Sequence, residues 1–147
     1  MSASDNAKKL IGGAAVIAAL SSLIFFTPDE FAQKNDTTDT TAVYFDTATA
    51  KMLDSARYFA RVPFFLNSAV RLPDYNEGVG GAKLSSHTAP CYCGVDIRTG
   101  SKHREERILY GLKEAGFIRI IIYPRHIHAD TDSSKSKWGV WHSNYKK

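Results

Sequence analysis

Apolar and polar residues alternate in distinct regimes along the chain. Residues 10–26 are free of charge and almost wholly apolar. Residues 27–46 are rich in Thr and Asp and carry few side chains that could bury apolar area. From residue 47 the pattern becomes that of a folded domain. Ala48, Met52, Ala56 and Phe59 recur at helical spacing, with Thr47 or Thr49 as the cap, and predict a helix with one face on a core. Val62-Pro63-Phe64-Phe65-Leu66 leads into a strand ending near Val70, and residues 71–76 are turn chemistry. Thr99-Gly100-Ser101 reads as a turn and N-cap. It opens a helix over about residues 102–115 that buries Ile108, Leu109, Leu112 and Ala115 and stops at Gly116. Residues 117–123 form a β-rich strand, and Trp138 and Trp141 are expected in the core rather than along a cleft.

The first 26 residues suggest a membrane segment. Seventeen uncharged residues lie at the short end for a spanning helix and are long for the core of a signal peptide. Lys8 and Lys9 precede the segment, Asp29 and Glu30 follow it, and no small-x-small cleavage site is evident. The positive-inside rule then places residues 1–9 in the cytoplasm and exports the rest. The expectation is an uncleaved single-pass signal anchor over 10–26 in the inner (cytoplasmic) membrane, with the domain on the periplasmic or extracellular side; cleavage is the alternative. A buried helix of the domain is disfavoured because the segment has no polar face. Residues 27–46 become a flexible linker, and residues 47–147 the domain.

Composition adds little to this picture. A chain of 147 residues has room for one domain. The net charge of +4 is modest, partly from Lys135, Lys137, Lys146 and Lys147, and reads as solvated surface rather than a nucleic-acid footprint. Cys91 and Cys93 are too close in sequence for an easy mutual disulfide. A thiolate could serve a metal, although the second Cys pair of a structural zinc site is missing. Otherwise the two are small, partly buried loop residues. Gly78-Val79-Gly80-Gly81 allows tight turns but lacks the setting of a phosphate loop.

The chemistry concentrates between residues 85 and 130. His87, Asp96 and His128 could supply three positions around a borderline ion such as zinc, leaving a fourth for water, the arrangement that separates catalytic from structural zinc. If residues 126–130 are extended, His126, His128 and Asp130 share one face while Ile127 and Ala129 face a core. A His-x-His pair alone is weak evidence, since such pairs more often sit on a surface or in a hydrogen-bonded core.

Longer stretches strengthen it. "AKMLDSARYFARVPFFLNSAVRLPDYNEGVGGAKLSSH", "GVDIRTGS" and "ILYGLKEAGFIRIIIYPRHIHAD" occur in this order. Over roughly two thirds of the chain they resemble the zinc D-Ala-D-Ala peptidase family (peptidase M15), whose fold the hedgehog signalling domain shares. The resemblance implies an α+β fold, a small, mostly antiparallel sheet with flanking helices. It implies Zn2+ on His87, Asp96 and His128, with His126, Arg71 and Asp130 as supporting catalytic groups. Its substrate would be the peptide stem of peptidoglycan, cut at a D-amino-acid bond or cross-link. Size and anchor suit a phage lytic protein as well as a bacterial enzyme.

Two departures stand out. The family spaces its first His and Asp seven positions apart, and here the gap is nine, so residues 89–93 must bulge. Many members carry an acidic base just before the last ligand, where this chain has Pro124-Arg125. His126 or Asp130 must then serve as base, or Asp130 orients a histidine. The alternative function is a non-catalytic relative that keeps the fold, with or without zinc, as a cell-wall binding or structural module.

Overall fold

The computed structural model of the chain describes residues 3–38 and 40–144, with side chains from residue 12 onward. The side chains of the expected cytoplasmic segment, residues 1–9, and of Lys146 and Lys147 lie outside them. The elements are α1 (Ala3–Ser21), two 3-10 turns (Pro28–Phe31 and Thr40–Tyr44), α2 (Thr47–Ala60), β1 (Leu66–Ser68), α3 (Pro73–Gly78), β2 (Gly94–Arg98), α4 (Lys102–Glu114), β3 (Arg119–Ile122), β4 (His126–Asp130) and β5 (Gly139–His142). The strands form one sheet in the order β1-β2-β4-β3-β5. Only the β3–β5 pair is parallel, so the mixed, mostly antiparallel α+β architecture holds.

Alternation along β4 divides the sheet into two faces. Ile127 and Ala129 are fully buried and join Val95, Ile97 and Ile120 with Leu53 of α2 and Ile108 and Leu112 of α4 in one core. Each large aliphatic side chain buried there contributes roughly 1.5–3 kcal/mol. His126, His128 and Asp130 occupy the opposite face. α2 and α4 pack against each other with no room for a side chain at Gly111, where an added Cβ would lie 2.3 Å from the Ala56 carbonyl oxygen. Ser101 caps α4 by accepting from the Arg104 amide, as expected, and Gly116 leaves the helix at φ 91°.

The inward stripe of α2 is rotated from the expected one. Thr49, Leu53, Ala56 and Ala60 are buried, whereas Ala48 and Phe59 are exposed and Met52 is half-buried. Asp46, not Thr47 or Thr49, caps this helix by accepting from the Thr49 amide at 2.8 Å. Thr49 tolerates burial because its hydroxyl meets both Asp46 and Thr131. Nor do the tryptophans enter the core: Trp138 is exposed, and Trp141 stacks beneath the Arg119 guanidinium at 5.2 Å. The segment expected as a turn at residues 71–76 is mostly the short helix α3.

The N-terminal expectations need correction. Among the described residues no helix is long and apolar enough to cross a membrane. The helix stops at Ser21, and the Asp54 carboxylate of α2 accepts from the Ile24 and Phe25 amides at 3.1 and 2.8 Å, tying the exit of α1 to the domain. Leu20 and Phe26 are buried in the same core as the sheet. The end of the apolar run, Leu20 to Phe26, therefore packs on the domain, the reading its missing polar face had argued against. Residues 27–46, expected as a tether, also fold onto it. Phe31 and Phe45 are fully buried with ring centroids 4.7 Å apart, so two aromatics anchor a stretch that is otherwise Thr and Asp.

Candidate metal centre

Register builds the centre. In the antiparallel β2–β4 pair, Asp96 stands directly opposite His128, and Ser68 of β1 stands opposite Asp96. Side chains of directly opposed residues share one face within roughly 5.5 Å, so two ligand types meet although 32 residues separate them. Asp96 Oδ1 lies 2.9 Å from His128 Nδ1. The third member arrives from a loop. Residues 88–93 bulge outward and return, with the Cys93 and Gly94 amides both donating to the Ser86 carbonyl at 2.9 and 3.0 Å. That closure sets His87 Nε2 3.3 Å from Asp96 Oδ1. Gly94 is required at the closure, since a Cβ there would lie 2.5 Å from Ser86 Oγ.

The cysteines end up elsewhere. Cys91 and Cys93 are joined to each other, with Cα atoms 5.1 Å apart, and lie near Asp132 rather than in the His87 group. The pairing judged difficult from spacing is made possible by Tyr92, whose φ of 45° folds the chain back between them. Neither sulfur is a thiolate available to replace a histidine.

One ligand atom each from His87, Asp96 and His128 can be chosen so that all lie within 4.8 Å of one another, and all three residues are buried. The surrounding hydrogen bonds orient the rings. His87 Nδ1–H donates to the Ala69 carbonyl at 2.6 Å, which leaves Nε2 facing Asp96. His128 Nε2–H donates to Asp130 at 2.7 Å, which leaves Nδ1 facing Asp96. A backbone carbonyl and a carboxylate behind two imidazoles are the supports that metal-bound histidines require. Two histidines and one carboxylate, with no fourth protein ligand in the group among the described residues, fit zinc with an open position.

Electrostatics agree with a site that expects positive charge. Burial lowers the His87 pKa and keeps that ring neutral. Burial would also lower His128, but hydrogen bonds to Asp130 and Asp96 prevail and hold it at about 9. Burial would raise Asp96; contacts with His128 and His87 instead hold it well below the usual carboxylate range. Without an ion, a proton on His128 Nδ1 does part of the work a cation would do.

The supporting residues sort by geometry. Arg71 donates to Asp96 Oδ2 at 2.7 Å, to Ser68 Oγ at 2.8 Å and to Asn76 Oδ1 at 3.4 Å, so its guanidinium aims the carboxylate. Asp130 is fully buried and accepts from His128, Ser86, Arg119 and the Asp132 amide. His126 is more open, with its Nε2 3.9 Å from Asp96 Oδ1 and its ring stacked on Tyr123 at 4.4 Å. Burial lowers its pKa, leaving a neutral imidazole at the edge of the centre. Ser86 and Arg119 were not singled out from sequence. Arg119 had a detectable signal, since a cation inside the apolar run 117–122 needs a buried partner, and its register places it opposite Asp130.

All of these residues lie in or behind a cleft of about 710 Å3 whose lining includes Arg71, His87, Asp96, His126 and His128. Comparison with known proteins identifies the family. The family described as Peptidase M15 matches residues 24–130, while no curated protein matches the chain. The chain belongs to the peptidase M15 family. Its class of chemistry is hydrolysis of peptide bonds, usually with zinc.

Proposed function

We propose that this M15 family member is a zinc peptidase acting on the peptide stems or cross-links of peptidoglycan, at bonds involving D-amino acids. The observation that carries the reading is the convergence of His87, Asp96 and His128 with a side open to the cleft. Zinc held there would polarise a peptide carbonyl and acidify a water, the chemistry it supplies when three protein ligands leave a position free.

The chain's own residues supply the rest. His126 stands beside the centre, neutral and partly exposed, and is positioned to take a proton and return it to the leaving amine. Asp130 has no exposure and no free face, so its part is to orient His128. Arg71 holds Asp96 in its ligating position, and its charge lies next to the place where a tetrahedral oxyanion would form. The Cys91–Cys93 pair suits an oxidising compartment outside the cytoplasm, where peptidoglycan is found.

Incubating the full chain with purified peptidoglycan, with and without chelator, tests this. Release of D-alanine or cleaved cross-links that stops with chelator and returns with zinc is expected. Tight zinc binding with no cleavage of peptidoglycan or its stem peptides would replace the enzyme with a non-catalytic cell-wall module.

A further inference from the structure

α2 and α4 cover the face of the sheet that bears Ile127 and Ala129, opposite the metal centre. Between the end of α2 and the outer side of α4 lies a second cavity, of about 570 Å3, which shares no lining residue with the cleft. That size falls within the roughly 300–1,000 Å3 of small-molecule sites. Three aromatic rings border it: Tyr58, Phe59 and Tyr110, which are 63%, 37% and 47% exposed. Aromatic side chains left in water around one concavity mark a contact surface. The polar lining is basic. It comprises Arg61, His103, Arg107 and the tyrosine hydroxyls, with no acidic side chain among the described residues.

The two guanidinium groups differ. Arg107 is committed: its Nε donates to the Ala60 carbonyl at 2.9 Å and its Nη2 to the Phe59 carbonyl at 3.0 Å, and it lies over the Tyr110 ring at 5.0 Å. It thereby closes the end of α2, where carbonyls lack helical partners. The Arg61 side chain has no hydrogen bond, ion pair or ring contact among the described residues. Its backbone is nonetheless fixed. The Arg61 amide donates to the Arg57 carbonyl at 3.3 Å, and its φ of 56° is the left-handed cap that ordinarily selects glycine. The helix end does not need this charge, because Arg107 already meets its carbonyls. A free guanidinium is therefore held beside the aromatic rings. Its planar fork matches a carboxylate or a phosphate and stays protonated.

We infer that this cavity is a second binding site, for a saccharide unit that bears one anionic group. The C–H face of a pyranose stacks on an exposed aromatic ring, and Arg61 receives the anion. One free guanidinium fits a single charge, whereas the regular phosphates of a nucleic acid need a track of cations. That the sugar belongs to the cell-wall polymer rests on the function proposed above; the pairing of a sugar ring with an anion rests on the cavity. Two sources offer that chemistry, a carboxylated amino sugar and a sugar phosphate. Bound there, the polymer would hold the protein in place while the cleft on the opposite face of the sheet meets the peptide.

The test uses the full-length, zinc-loaded protein. N-acetylmuramic acid, glucose 1-phosphate and neutral N-acetylglucosamine are titrated separately, and binding is followed by amide NMR shifts. At least one acid should shift residues of α2 and α4 and bind about tenfold more tightly than the neutral sugar, the low end for a charged hydrogen bond at an exposed site. Arg61→Ala should erase that difference, as should Arg61→Gly, which suits the left-handed backbone. Tyr58→Ala should weaken all three sugars by about fivefold. A preference for N-acetylmuramic acid reports the carboxylated source and one for glucose 1-phosphate the phosphorylated source; either supports the inference. Equal binding of all three by wild type, no shift in these helices, or full discrimination by both Arg61 variants would overturn it. Tighter binding of a single-stranded oligonucleotide at the same residues would do so as well. Cleavage of a soluble stem peptide should be unchanged in these variants. Sugar binding without cleavage leaves the inference standing and removes the peptidase reading, whereas cleavage without sugar binding does the reverse.

Discussion

Replacing Phe31 with Ala asks whether residues 27–46 belong to the domain. Phe31 is fully buried, with Phe45 at 4.7 Å and Phe26 at 5.6 Å between ring centroids. Truncating a buried Phe removes its transfer free energy and leaves a cavity, about 3–5 kcal/mol in total. Each aromatic pair lost is worth about 0.5–1.5 kcal/mol beyond buried area, which places this substitution toward the upper part of that range. Single domains are stable by only about 5–15 kcal/mol, so the loss is a large share. With a urea slope of about 1–3 kcal/mol per molar, the unfolding midpoint should fall by about 2 M. The Phe31 carbonyl also accepts from the Val70 amide at 3.1 Å, one residue from the Ala69 carbonyl that orients His87. Zinc affinity should therefore weaken along with stability. Urea unfolding followed by circular dichroism is the assay. A tether residue would behave like surface, within about 0.5 kcal/mol; a midpoint shift below about 0.3 M would mean that these residues do not fold onto the sheet.

Other outcomes follow from the same packing and charges. Gly111→Ala should lower stability by about 1–3 kcal/mol through overpacking, despite a gain of about 1 kcal/mol in helix propensity, because the new methyl meets the Ala56 carbonyl and Ala60; a thermal midpoint at or above that of wild type would show that α2 and α4 are not in such close contact. Zinc should compete with a proton on His128. Since that pKa is raised from 6.5 to about 9, apparent zinc affinity should climb by up to about tenfold per pH unit and level off above about 9. Calorimetry in buffers of different ionisation enthalpy should count about one proton released near neutral pH, and a flat affinity between pH 7 and 9 would contradict the pairing of His128 with two carboxylates.

Local order is legible in the sequence itself. Ser101 and Gly116 bracket α4 because capping and left-handed backbone are properties of a few adjacent residues. The alternation in residues 126–130 assigned Ile127 and Ala129 to the core and the two histidines with Asp130 to the other face, since a strand's period of two needs no partner to be read. The motif order also identified His87, Asp96 and His128 as a group. What stayed hidden depended on contacts between distant segments. The rotation of α2 depends on α4, where Gly111 lets the helices close on Ala56 and Ala60. The apolar run at residues 10–26 could satisfy a bilayer or a core equally well by hydropathy; Asp54 on α2, and the burial of Leu20 and Phe26, bring its end onto the core. Arg71 could have faced solvent, substrate or a ligand, and only the placement of Ser68, Asn76 and Asp96 around it commits it to the carboxylate. Periodicity and caps are short-range and survive in a linear reading, whereas orientation between elements is set by which side chains interlock across the fold.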